Sequence, residues 1–142
     1  MSPGASSKQI QFARRLLAQE AVAGKSSGQE DSAAFRVFEK LRLALNRLMG
    51  GGGVRALFAR SLALAQNDVI WLRKLEIKED GSFAGFERLE TGLKNGEIAQ
   101  GEAVLLARLL ELLITFIGPS MTLHLIQAVW PKANFDDLDL GK

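Results

Sequence analysis

Four consecutive glycines, Gly50, Gly51, Gly52 and Gly53, followed by Arg55, are the segment of this chain most suggestive of chemistry. Successive backbone amides at a helix start can form a nest for an anion, and Arg55 and Arg60 would add positive charge to it. The same run also serves as a tight turn or hinge between helices, and the remaining fingerprint of a nucleotide site is missing. Ala23-Gly24-Lys25-Ser26 has the ending of a phosphate-binding loop. That motif needs a glycine where Gln19 stands and a strand before it, so the segment reads as an ordinary connection between helices.

Other reactive groups are sparse. His124 is the only histidine and cysteine is absent, so the donor set for a zinc site is missing, and His124 reads as a surface or partly packed side chain. No Ser/His/Asp set is credible with one histidine and no nucleophile-elbow glycines around a serine. Glu87, Glu90, Glu97, Glu102 and Glu111 show no spacing that sets two of them across a cleft. Glu111 lies in an apolar helix, and Arg108 three positions earlier is its natural local partner. Asp136, Asp137 and Asp139 lack the central glycine and closing glutamate of a calcium loop. The residues therefore point to no catalytic group, no metal site and no cofactor, and more readily to a non-enzyme than to an enzyme.

The elements that would position these groups are helical. Ile10, Ala13, Leu16 and Leu17 recur at helical spacing from about Lys8 to Val22, with a loop over Ala23 to Gln29. A second helix starts near Asp31 or Ser32 and runs to Met49, with Ala34, Phe38, Leu41, Leu45 and Leu48 as its seam. Each glycine costs about 1 kcal/mol relative to alanine in a helix, so the run at 50–53 is expected to end this helix and precede a third, Val54 to about Gln66. Leu75 and Ile77 alternate and Asp80-Gly81 favours a tight turn, so residues 75–86 form either a small β-hairpin or an irregular insert pinned by Phe83 and Phe86. A short helix from Phe86 to Leu93 follows. The dominant helix runs from about Ile98 to Ile117, with only Arg108, Glu111 and Thr115 as a polar strip, and belongs at the centre of the bundle. Gly118-Pro119 should break the chain before a last helix, Ser120 to Trp130, which Pro131 ends.

The sum is an all-α fold: one domain over residues 1–142, a compact bundle of five or six helices, a loose start at 1–7 and an acidic tail at 131–142. A chain of 142 residues with 47% hydrophobic side chains is large enough for a core without metals or disulfides. Absence of cysteine and of an apolar leader in the first residues favours a cytoplasmic setting. The most apolar stretch, Val104 to Ile117, is interrupted by Arg108 and Glu111 and is not read as a transmembrane segment. Charge is uneven: residues 1–67 carry ten Lys or Arg against four Asp or Glu, and residues 68–142 eight against twelve.

Three functions fit these features. The first is a helical interaction or regulatory protein that binds another protein or itself, because the apolar faces are wider than a thin bundle needs. The second is a binder of a small apolar ligand in an inter-helix pocket. Phe35, Phe38, Phe58, Trp71, Phe116 and Trp130 are the candidate lining of either the interface or the pocket. The third is nucleic-acid binding through the basic N-terminal half, with Arg14, Arg15, Lys25, Arg36, Lys40, Arg42, Arg47, Arg55 and Arg60; these point in several directions, tyrosine is absent, and Trp71 and Trp130 do not interleave with them. An interface predicts Leu or Phe exposed on the folded surface, and a ligand pocket predicts an internal cavity. The segments Gly52–Arg60 and Phe116–Leu123 resemble those of small bacterial helical proteins, a likeness that implies no activity or binding residue.

Overall fold

The computed structural model describes residues 7–27, 32–86 and 93–131. Among these residues are three long helices: α1 (Ser7–Ser27), α2 (Ala33–Asp68) and α3 (Asn95–Val129). A 3₁₀ turn (Ile70–Lys74) and two short strands, β1 (Glu76–Ile77) and β2 (Phe83–Ala84), lie between α2 and α3. The expectation of five or six helices is corrected by this count. The second and third expected helices are two limbs of α2, which bends at Gly50 (φ 79°, ψ 161°). The dominant and last expected helices are likewise two limbs of α3, bent at Gly118 (φ 85°, ψ 161°). The loop expected over Ala23 to Gln29 is also shortened, because α1 continues through Gly24 to Ser27. The expected short helix at 86–93 and the acidic tail lie largely outside the described residues.

Local chemistry explains both bends. At Gly50 and Gly118 the backbone has the positive φ that favours glycine, and a side chain there would store about 1–3 kcal/mol of strain. One residue leaves the helical conformation and the next turn resumes it, so the glycines redirect each helix without ending it. At the second bend Pro119 occupies the first turn of the resumed limb, where its missing N–H costs little. The Thr122 hydroxyl, buried, donates to the Gly118 carbonyl at 2.8 Å, a side-chain bond across the first turn of the resumed limb. Other ends are capped in ordinary ways. Ser32 Oγ accepts from the Phe35 amide at 3.1 Å at the start of α2, and Glu97 reaches back to the Lys94 amide at 3.0 Å at the start of α3.

The three helices pack on one another around a single core. The first limb of α3 forms its centre, with Ala103 to Ala107, Leu109, Leu110 and Leu113 buried. By length and composition α3 is also apolar enough to cross a membrane: an 18-residue stretch within Gly96–Val129 has a mean hydropathy of 1.7. Only 39% of that 18-residue stretch is buried, so α3 carries more apolar surface than the core takes up. Its polar strip is tied down: Arg108 pairs with Glu111 at 3.3 Å, as the spacing suggests, and with Asp68 at the end of α2 at 2.7 Å.

The hairpin is a plug in this core. β1 and β2 pair antiparallel, Glu76 opposite Ala84 and Ile77 opposite Phe83. Asp80 holds the turn by accepting from the Ser82 amide at 2.9 Å and its hydroxyl at 2.6 Å. Beyond the turn, Phe83 inserts between the limbs of α2: its ring lies 4.7 Å from Phe38 on the first limb and 5.4 Å from Phe58 on the second. Two strands alone would be marginal, and this aromatic anchorage is what holds them.

Candidate interaction face

The bends bring apolar side chains to the surface. Of the residues flanking them, Leu48 is 50% exposed, Phe116 66% and Met121 48%. Met49, Gly53, Ala56, Leu57, Arg60 and Phe116 line an open groove of about 310 Å³ whose walls are almost wholly apolar. Met49 and Gly53 flank the bend of α2, and Phe116 stands two residues before the bend of α3. The two bends therefore meet at one place, and the groove is the space between them. Gly51, Gly52 and Gly53 are exposed and have no side chains, so they leave the backbone open to close approach.

The aromatic residues singled out by sequence have separate fates. Phe38 and Phe58 are buried in the core, 6.1 Å apart, and Phe35 is half-buried against Phe86 at 6.4 Å. Trp71 lies on α3 at Gly101, where any side chain would run into its ring. Trp130 is buried beside α1, and Phe116 alone of the six reaches the groove. The glycine run carries Arg55 away from itself: the Arg55 Nε–H donates to the Lys78 carbonyl on the hairpin at 3.3 Å. The buried polar atom at this bend is an acceptor, Asn46 Oδ1, with no donor within reach, which suits an anion poorly.

The basic half is similarly dispersed. Arg36 and Lys40 turn inward to Glu20, Arg42 pairs with Glu39 at 2.7 Å, and Arg14 donates to the Gln100 side chain. These cations are engaged by the fold and do not gather into one stripe. His124 is exposed, and among the described residues no group of three or more His, Asp or Glu could hold a metal ion.

Sequence reasoning passed over Glu20. It is 3% exposed, and its carboxylate accepts from Arg36 Nε at 3.0 Å, Lys40 Nζ at 2.6 Å and Trp130 Nε1 at 3.1 Å. Burial pushes this carboxyl up, but the hydrogen bonds from Lys40, Trp130 and Arg36, with the Lys40 charge, outweigh burial and hold it below its usual value. A carboxylate so held stays ionised at neutral pH and is no general acid. It ties α1 to α2 and to the end of α3. The signal was available in the spacing: Glu20 follows Phe12 and Leu16 at four-residue steps, on the apolar face of α1.

No family model matches the chain, and comparison with the curated proteins and with the solved structures gives no match either.

Proposed function

We propose that this chain is a helical protein-binding module that engages its partner through the face where the two glycine bends meet. The observation that carries this reading is Phe116, a large apolar side chain 66% exposed beside an open apolar groove. Burying such a ring yields about 1.5–3 kcal/mol, a gain the isolated chain forgoes. Met49 and Met121 suit the same purpose, since flexible thioethers re-pack against differently shaped partners. A small-ligand role draws less support, because Phe35, Phe38 and Phe58 fill the core and leave the groove open to solvent.

Site-specific photo-crosslinking in the source cells tests the proposal. A benzophenone amino acid at position 116 is expected to trap a discrete protein adduct, whereas the same group at Val22, 65% exposed elsewhere on the surface, is not. Equal, diffuse labelling from both positions would refute the assignment of this face.

A further inference from the structure

The charges around the groove describe what should fill it. Residues 40–67 contain five cations, Lys40, Arg42, Arg47, Arg55 and Arg60, and no carboxylate. Lys40 is held by Glu20, Arg42 by Glu39 and Arg55 by the Lys78 carbonyl. Arg47 and Arg60 are exposed, and among the described residues no carboxylate pairs with either. Arg60 is part of the groove lining itself. The opposite wall belongs to a segment, residues 112–131, that contains no Asp, Glu, Lys or Arg. The groove is therefore apolar in its hollow and positive at Arg60, with no carboxylate paired to that charge among the described residues.

Resting on the interaction reading above, we infer that the occupant is an amphipathic helix of another protein, with apolar anchors for the groove and a carboxylate beside them for Arg60. A helix fits because the only strands among the described residues are two residues long each, too short to template an added strand. Helix-in-groove recognition reads apolar side chains at i, i+3 or i+4, and i+7. The side-chain-free turn Gly51–Gly53 lets such a helix approach the backbone closely. A second copy is a poorer occupant: face to face, two copies would gather their arginines with no carboxylate between them. A lipid surface is poorer too, because a hollow accepts a side chain, whereas a bilayer receives protruding ones.

The test is selection of a displayed library of helical peptides, randomised on one face, against the full chain. Recovered binders should place Leu, Phe or Met at helical spacing and be enriched in Asp and Glu beside those anchors. Arg60→Glu should weaken such a peptide by about tenfold or more, and added salt should weaken it further. Phe116→Ser should abolish binding, and far-UV circular dichroism reports whether each variant keeps its fold. Binders that depend on Phe116 but show no acidic excess, or ignore Arg60→Glu, overturn the inference while leaving the interaction reading in place. Failure of the crosslink at position 116 removes both. Vesicles of phosphatidylserine and phosphatidylcholine that outcompete the peptides would assign the face to membranes. A concentration-dependent dimer lost on Phe116→Ser would assign it to a second copy. Either of the last two results overturns the inference.

Discussion

Glu20→Ala should lower the stability of this protein by about 3 kcal/mol, the low end of the range for breaking a buried ion pair. Removing the carboxylate takes the ion-pair partner from the Arg36 guanidinium, 12% exposed, which keeps its bond to the Glu20 backbone carbonyl at 3.0 Å, and takes the acceptor from the Trp130 indole N–H. Lys40, 44% exposed, can turn into water, which keeps the loss from being larger. For a chain of this size the change corresponds to a fall in melting temperature of roughly 6–12 °C. Glu20→Gln should cost less, because the amide oxygen still accepts from Trp130.

The same residue sets a pH dependence. The folded carboxyl titrates below its ordinary value, so its contribution is complete above the unfolded value of about 4.3 and is lost as pH falls through the lower folded value. The stability gap between the native chain and Glu20→Gln should therefore be constant from neutral pH down to about 5 and narrow below about 4. Urea denaturation across that range measures it, with Trp130 fluorescence as a local probe. A gap that stays constant to low pH would show that the carboxylate charge is not what ties these helices.

Phe38→Ala should cost about 3–5 kcal/mol, the range for truncating a buried phenylalanine. Phe38 is 1% exposed and touches the rings of Phe58, Phe83 and Phe86 at 6.1, 4.7 and 6.2 Å. It thus joins the first limb of α2 to the second and to the hairpin, and a void there should loosen the bend as well as the core. The expected signature in hydrogen exchange is early loss of protection at residues 76–84, ahead of α3. A denaturation midpoint that moves by less than the equivalent of 1 kcal/mol would contradict the view that this aromatic cluster clamps the fold.

Much of the fold was legible in the hydrophobic periodicity. The seam Val54, Leu57, Phe58, Ser61, Leu62 and Ala65 is buried, as its spacing implied, and the first limb of α3 forms the core's centre. The hairpin was one of two readings of residues 75–86, and Asp80-Gly81 with Phe83 decided it through turn geometry and ring burial. The helix count was misjudged for a physical reason. Glycine propensity is a local cost of about 1 kcal/mol per residue, whereas burial of Val54, Leu57 and Phe58 just beyond the run stabilises the resumed helix by more than the glycines lose. Gly118-Pro119 likewise reads as a break in sequence, yet Thr122 and the buried Ile126 continue the helix past it.

The interaction face was half legible. Phe116 and the glycine run were both singled out, but nothing in their spacing, more than 60 positions apart, says that they meet. That juxtaposition comes from the packing of α2 on α3, which sets both bends side by side. Met49 was read only as the end of the second helix, and Arg60 as a charge beside the glycine run and one of several scattered cations. Glu20 escaped because a carboxylate on an otherwise apolar face is visible only when the face is traced residue by residue.

The most direct test of the account uses methionine. The chain has three methionines, and Met49 lines the groove while Met121 is exposed three residues past the second bend. Methyl-labelled methionine in the full chain therefore gives a spectrum in which one signal reports the groove and another its surroundings. On titration with the protein trapped at position 116, or with a selected acidic helix, the Met49 methyl should shift and saturate with the same dissociation constant as fluorescence anisotropy, and the Met121 methyl should respond with it. Saturable binding that leaves the Met49 methyl where it was would place the partner elsewhere and contradict the account.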